Sequence, residues 1–421
     1  MNRPLVALAQ ILFLGLLLTT CSTTQSLKVE LSHTGMFELS ILETNKQEIL
    51  KGSHMLMPAY DQLKLDALVA LDLVAPSVMD KVSIPPSGDK HDYTSMGPYW
   101  WPNPDTPDGL PYVRKDGQVN PERNKYDKVS GSEMSYAVKA LALMYYFSED
   151  EIYAKQAAHL LRTWFISLDT RMNPNLNYGQ FVPGRSVGRS VGIIESRDFV
   201  FLTSFEPLLQ SSEHWTKADH HSFVTWMDEF RVWLVKSDLG QQEFKRANNH
   251  GSWYDYQVLA LSHFCDRTEE TTILAESVLE RRLEHQIEPT GEQLEELART
   301  KSFNYSVFNI EALTHVAIYT QDYGIDLYQT KEENPLLVQA IDFLLPYIVG
   351  DKPWPYKQIS SIAHSQEKMI FILARAYAHY KVPEYMSAIE ILKNRFPQSR
   401  YNLTTRQGNI TTINQDLLGE K

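Results

Sequence analysis

Apolar residues recur at three- and four-residue intervals along most of the chain, the spacing of helices that bury one face. Met134, Ala137, Val138 and Leu141 form one stripe, and Ala157, Leu160, Leu161, Trp164 and Leu168 a second. Phe223, Trp226, Met227, Phe230 and Leu234 form a third, and Tyr256, Leu259, Ala260 and His263 a fourth. Met369, Ile372, Leu373, Ala376 and Tyr380 make a fifth, stopped by Pro383. No comparable alternation of apolar and polar residues occurs, so strands are expected to be short and peripheral. The pattern predicts an all-α fold of about eleven or twelve helices joined by short polar connections. Helix hairpins in that number close into a ring of inner and outer helices or stack into an open solenoid, and the periodicity is the same for both. No strict internal repeat accompanies it.

One segment departs from this pattern. From Ser83 to Asn124 the chain is rich in Pro and Gly and carries Tyr93, Tyr99, Trp100, Trp101 and Tyr112. Structureless loops longer than about 15 residues are uncommon and are either functional or disordered. Disordered segments are poor in aromatics, so this one reads as an ordered loop folded over the helices. Tyr99, Trp100 and Trp101 are candidates for stacking on the apolar faces of sugar rings. The alternative is that the tryptophans only pin the loop down.

The N-terminus sets the compartment. Arg3 precedes an apolar run from Leu5 to Leu18 and a Leu18-Thr19-Thr20-Cys21 stretch. The run is shorter than a membrane span and reads as an export signal over residues 1–21. The stretch resembles a bacterial lipobox, in which Cys21 is lipidated and begins the mature chain; simple secretion into the periplasm is the alternative. Of the two cysteines only Cys265 would then remain, so no internal disulfide is available and stability must come from the core. Residues 22–400 are expected to form a single domain, with a polar tail over 401–421. The formal net charge of −12 argues against a nucleic-acid partner, which attracts basic surfaces. It does not exclude a polyanionic substrate, because a few arginines in a cleft dominate locally while distant charges are screened.

Three clusters carry chemistry. Asn248-Asn249-His250-Gly251-Ser252-Trp253-Tyr254 packs amides, an imidazole and aromatics where a helix begins. Asn is favoured at N-caps, so the Asn-His pair is expected at a helix end facing a cavity; a capping Asn with a buried His is the plainer reading. Arg299, Lys301, Asn304 and Tyr305 precede a further apolar stripe, and alone they read as a polar helix lead-in. Gly184 to Arg197 holds Arg185, Arg189 and Arg197, able to bind carboxylates bidentately, with Glu195 available to pair with one of them instead.

The string NNHGSWYDYQ, with a Tyr 55 residues after its His, resembles the alginate-lyase superfamily. It is most similar to polysaccharide lyase family 38 and more distantly to family 5. TSMGPYWWPNP and GIIESRDF resemble family 38 as well, and the resemblance runs from about Leu65 to Lys393. It implies an (α/α) toroid of about six or seven helix hairpins, the aromatic loop lying over the cleft. It also implies a lyase that needs no metal or other cofactor and acts on an acidic polysaccharide, alginate or glucuronan. Carried over, Asn249 and His250 match the family's Asn-His pair, Tyr305 its catalytic Tyr, and Arg299 the Arg before it. Arg189, Arg197, Asn248, Trp253 and Tyr254 join the loop aromatics as candidate substrate contacts. Family 5 has a different context after NNH, which argues against strict polymannuronate specificity.

The chemistry accounts for these residue types. β-Elimination removes the carbon-5 proton of a uronate and expels the glycosidic oxygen on carbon 4. Donors must stabilise the enolate-like dianion, and Asn249 offers two amide hydrogens and His250 a third. A base and an acid are also required. Where proton and leaving oxygen lie on one side, as in mannuronate, Tyr305 can serve both, and Arg299 nearby is expected to favour its phenolate. In guluronate the groups lie on opposite faces, and His250 can act as base with Tyr305 as acid. Two other readings compete. A glycoside hydrolase on a helical ring needs two carboxylates, for which Glu195, Asp198 and Asp255 are available. A non-catalytic glycan-binding lipoprotein would keep the aromatics and arginines without needing His and Tyr together. Membrane contact is expected only through the N-terminal lipid.

Overall fold

A computed structural model describes residues 33–328 and 335–407. The expected export signal and Cys21, and most of the expected C-terminal tail, lie outside the described residues. Twelve α-helices of seven residues or more occur among those described. They are α1 (Leu39–Leu50), α2 (Met57–Leu71), α3 (Asp127–Ser148), α4 (Glu151–Leu161), α5 (Lys217–Lys236) and α6 (Asp238–Phe244). There follow α7 (Asn249–Phe264), α8 (Thr272–Val278), α9 (Ser302–Thr320), α10 (Leu336–Val349), α11 (Ala363–His379) and α12 (Pro383–Arg395).

The packing order describes a ring. α2 packs on α3, α3 on the short helices Arg197–Val200 and Leu202–Phe205, these on α7, α7 on α9, and α9 on α11. The turn Tyr401–Thr404 touches α11, α1 and α2 and so closes the circle. Closure is anchored by the buried Asn45 amide, which donates to the carbonyls of Leu403 (2.9 Å) and Thr405 (3.1 Å), and by an Arg400–Asp66 ion pair at 2.7 Å. Helices α4, α5, α10 and α12 pack outside their partners in the ring. The result is an (α/α) toroid. α7 and α9 are buried along almost their whole length, as central elements packed on both sides must be.

The stripes fall where the periodicity puts them, with three differences. Leu168 is 73% exposed, because α4 passes into a π-helical turn at Arg162–Ile166 that ends at Ser167. Pro383 opens α12 as well as following α11, since proline suits the first helical turn. Residues 401–407 belong to the folded body: Leu403 is buried and its carbonyl is used in ring closure, so the expected boundary at residue 400 falls too early.

Strands are short. β1 (His33–Thr34) pairs with β2 (Phe37–Glu38), β3 (Thr94–Met96) runs parallel to β6 (Tyr178–Phe181), and β4 (Trp100–Trp101) pairs with β5 (Val113–Arg114). The last two ladders fold the Pro/Gly-rich segment onto itself and fasten it to the 178–181 strand. The segment is therefore ordered, as its aromatic content predicts.

Candidate active site

Two helix N-termini hold the candidate catalytic residues Asn249, His250 and Tyr305. Asn248 caps α7, its side-chain oxygen accepting from the His250 amide at 3.3 Å, which satisfies one of the N–H groups a helix start leaves free. The turn before it is clamped from below. Buried Asp255 binds both Arg281 and Arg282 bidentately at 2.8–3.1 Å, and Arg282 donates onward to the carbonyls of Arg246 (2.6 Å) and Phe244 (2.7 Å). Gly251 sits against this clamp: a Cβ there would collide with the Arg246 carbonyl and the Arg282 guanidinium. The glycine in the NNHG string is thus a packing requirement that lets the turn press onto its arginine.

His250 is partly exposed, and its Nδ1 lies 2.6 Å from Oε1 of Glu243, a carboxylate with no exposure. A carboxylate accepts, so Nδ1 carries a proton, and in the neutral imidazole Nε2 is the nitrogen left with the lone pair. Asn249 is fully buried; its backbone N–H and its amide Nδ2 both donate to Glu296 at 2.7 Å. One of its two amide hydrogens is therefore committed, which corrects the expectation that both face a substrate, and its Oδ1 has no partner. Burial raises the Glu296 carboxyl, against the pull of Asn249, Arg299 and His250. Arg299 and His250 both act on this one carboxylate, so the two helix ends lie near Glu296.

Tyr305, in the first turn of α9, forms the other half. Its hydroxyl accepts from Arg299 Nη2 at 2.9 Å and lies 2.9 Å from the Tyr99 hydroxyl of the loop. The Arg299 guanidinium also stands 3.9 Å from the Tyr305 ring centroid. On its far side Arg299 binds Asp116 of the same loop at 2.8 Å, and Asp116 accepts from Thr300 as well. Burial alone would raise the Asp116 carboxyl, but Arg299 and Thr300 hold it down to about 2. For Tyr305, burial and the neighbouring Tyr99 outweigh Arg299, and the phenol is pushed well above its usual value. The expected drift toward phenolate is thereby reversed: Asp116 neutralises Arg299, and desolvation of the charged form dominates.

The remaining candidates divide. Trp100 lies under Arg185 and Arg189, at 5.3 and 5.5 Å from its ring centroid. Gly97 makes room for this, since a Cβ would approach both Arg189 and Trp100 to 2.7 Å. Arg189 donates to the backbone and side-chain oxygens of Gln180 (2.7 and 3.2 Å), and burial and nearby cations lower it to about 10. Trp101 is pinned through its N–H to the Gln118 carbonyl at 3.0 Å and has Lys115 over its ring. Arg197 stands over the rings of Trp253 (5.7 Å) and Phe308 (5.1 Å). Trp253 is buried yet borders the central cavity. Tyr254 is 2% exposed and donates to the Leu234 carbonyl at 3.1 Å, so it supports the wall and does not meet a ligand. Glu195 pairs with no arginine; it accepts from Tyr93 (2.9 Å) and Gln180 (3.3 Å). With Asp255 in its clamp and Asp198 bound to Lys128 at 2.7 Å, the three carboxylates considered for hydrolysis are all committed structurally.

Glu243, Glu296 and Asp116 were not legible as site residues. Asp116 and Glu296 act through neighbours far along the chain, and Glu243, seven residues before His250, carries no local mark of its role.

A family model described as alginate lyase matches residues 77–354. Among solved structures, an alginate lyase from Bacteroides ovatus is 36% identical, with a TM-score of 0.84 over 89% of this chain and 99% of that one. Alginate lyase A1-III from Sphingomonas species A1 is 14% identical, with a TM-score of 0.54 over 89% and 96% of the two chains. A variant of A1-III complexed with a tetrasaccharide gives the same values; at this identity the likeness concerns the fold. No curated protein matches the chain in sequence.

Proposed function

We propose a two-residue β-elimination for this chain, which belongs to the alginate lyase family and is therefore a polysaccharide lyase. The substrate is a uronic-acid polymer: alginate, with glucuronan a second polymer of the same chemistry, as the likeness of the loop and NNHG strings to family 38 suggests. What supports the reading is a neutral phenol and an oriented imidazole on two helix ends that both lie near Glu296. Tyr305 is held protonated by burial, while Glu243 fixes His250 with Nε2 free.

In guluronate, Nε2 of His250 takes the carbon-5 proton as the carbon-4–oxygen bond breaks, and Tyr305 gives its proton to the departing oxygen. A carbon-4–carbon-5 double bond remains on one product. Tyr305 is left as a phenolate beside Arg299, and the proton on His250 restores it. When Tyr99 donates to Tyr305, both phenol lone pairs are engaged, by Arg299 and Tyr99, and the phenol hydrogen is directed outward. In mannuronate the same phenol, once its proton has passed to solvent, serves as base and acid in turn: the phenolate, stabilised by Arg299, takes the carbon-5 proton and gives it to the departing oxygen. The substrate carboxylate is assigned to the remaining Asn249 hydrogen and to the Asn248 amide nitrogen, which no described residue engages. Trp100 and Arg189 bind flanking sugars.

The test is ultraviolet absorbance of unsaturated product from polymannuronate, polyguluronate and glucuronan, each with the native protein and with Tyr305→Phe. Absorbance should rise with the native protein and fall by at least about 10²–10⁴-fold in the variant. Near-native turnover by Tyr305→Phe would overturn the assignment, and no rise with any polymer would favour a binding protein. We further propose export to the periplasm with Cys21 as lipid anchor, supported by the N-terminal sequence alone. Cys21→Ala should release the protein from membranes; unchanged fractionation would remove the anchor.

A further inference from the structure

We propose that the central cavity of the toroid is a carboxylate-binding subsite, centred on Lys139, for a uronate residue neighbouring the one that is cleaved. The inference rests on the uronate-polymer reading above and adds a site to it. The cavity measures about 590 Å³ and draws side chains from α2, α3, the 197–205 helices, α7, α9, α11 and the 401–404 turn. Trp253 and Arg197 are the lining residues nearest the Asn-His turn. Trp253 follows Asn249 by one helical turn, Phe308 follows Tyr305 by one turn, and Arg197 lies against both rings. One turn is about 5 Å of rise, the scale of one sugar residue, and we place the neighbouring uronate of a polymer seated at Tyr305 at this depth.

The charge in the cavity is unevenly matched. Arg400 is paired with Asp66 (2.7 Å), Lys368 with Glu311 (2.6 Å) and Glu367 with His364 (3.6 Å). Asp198 is the carboxylate left, and it serves Lys128 at 2.7 Å, Ser132 at 3.1 Å and Arg197 at 3.8 Å. Burial opposes its charge, yet Lys128, Arg197 and Lys139 hold its carboxyl far below the usual range. Three cations thus share one carboxylate, and Lys139 is the one with no hydrogen-bond or ion-pair partner among the described residues. Its ammonium has only the Phe201 ring, 5.5 Å away.

Burial, with Arg400, Arg197 and Lys128 nearby, lowers Lys139 to about 8, so it is still largely protonated at neutral pH. A half-buried ammonium with no hydrogen-bond or ion-pair partner among the described residues is costly, and an incoming carboxylate lowers that cost. Phe201, Tyr136 and Trp253 offer apolar surface beside it for a sugar face.

The experiment separates this site from catalysis. In a Tyr305→Phe background, affinity for oligouronates of increasing length is measured with and without Lys139→Met. Once the oligomer is long enough to enter the cavity, Lys139→Met should weaken binding by about tenfold or more, the loss of one charge-assisted contact, and Lys139→Arg should restore most of it. Equal affinity at every length would overturn the proposal. The unsubstituted protein provides a second measurement: amine modification of Lys139, followed by peptide mapping, should be blocked by an oligouronate and not by a neutral oligosaccharide of the same length. Modification undiminished while the oligouronate is bound would also overturn it. Neither readout needs turnover. If the native protein forms no unsaturated product yet Lys139 is protected, the lyase reading falls and the subsite stands.

Discussion

Arg299 engages Tyr305 in two ways at once, donating to its hydroxyl at 2.9 Å while lying 3.9 Å from its ring centroid. The charge that would acidify the phenol is balanced by Asp116, 2.8 Å away on the folded-over loop. Through Tyr99 and Asp116 the loop therefore adds to what burial does in raising the proton affinity of Tyr305. Replacing Asp116 with Asn should leave Arg299 uncompensated and lower the Tyr305 pKa, because Asp116 acts to raise it. The alkaline limb of the pH–rate profile should move to lower pH, and difference titration of the phenol should move with it. An unmoved profile would mean that Asp116 only anchors the loop.

The same pair predicts behaviour in acid. Asp116 is held to about 2 in the fold, below its value in an unfolded chain of about 3.9. A depressed carboxyl contributes stability that is present above the unfolded value and lost as pH falls through the folded one. The native protein should therefore lose loop anchoring between about pH 4 and 2, whereas Asp116→Asn should show no such loss over that window. Protease accessibility of the 83–124 segment against pH checks this.

Glu243 carries a prediction that separates the two elimination routes. It holds Nδ1 of His250 at 2.6 Å and so leaves Nε2 as the base. Glutamine at position 243 presents both a donor and an acceptor, and no longer selects one tautomer. Turnover of polyguluronate, where His250 removes the proton, should fall on the order of 10²-fold. Polymannuronate, where Tyr305 serves both roles, should lose less. Equal losses on the two polymers would place Glu243 in the scaffold alone.

How much of this was legible in the sequence follows from which interactions are local. The stripes in α3, α5, α7 and α11 announce themselves because helical burial repeats within one segment. The cap at Asn248 is local too, as is the aromatic signature of the loop. Ring closure is not: Asn45 meets Leu403 across nearly the whole chain, and nothing near either residue marks the contact, which is why an open solenoid fitted the same pattern. The partners of Arg299 and Asn249 are hidden for the same reason. Asp116 reaches Arg299 across 183 positions and Glu296 reaches Asn249 across 47. Tyr254 shows the converse, since its place in the NNHGSWY string suggests a ligand contact while its position on the helix turns it toward Leu234.

The clamp beneath the Asn-His turn yields the largest expected loss of stability. Asp255 has no exposure and satisfies two guanidinium groups at once. Removing one partner of a buried ion pair leaves the others charged and uncompensated, at a cost of about 3–5 kcal/mol. Asp255→Ala should therefore lower the denaturant midpoint by a corresponding amount. Arg282 would lose its anchor to Asp255 and with it the geometry in which it holds the Arg246 and Phe244 carbonyls. Gly251→Ala attacks the same contact from above, forcing the new Cβ into Arg246 and Arg282. The two substitutions strain one structural unit, so their effects on stability should not add, as expected for residues that share partners. Denaturation of both single variants and the double variant measures this, and strict additivity would show that the turn and the clamp are independent. If they are coupled, activity should fall in both single variants through displacement of His250, although neither residue touches substrate.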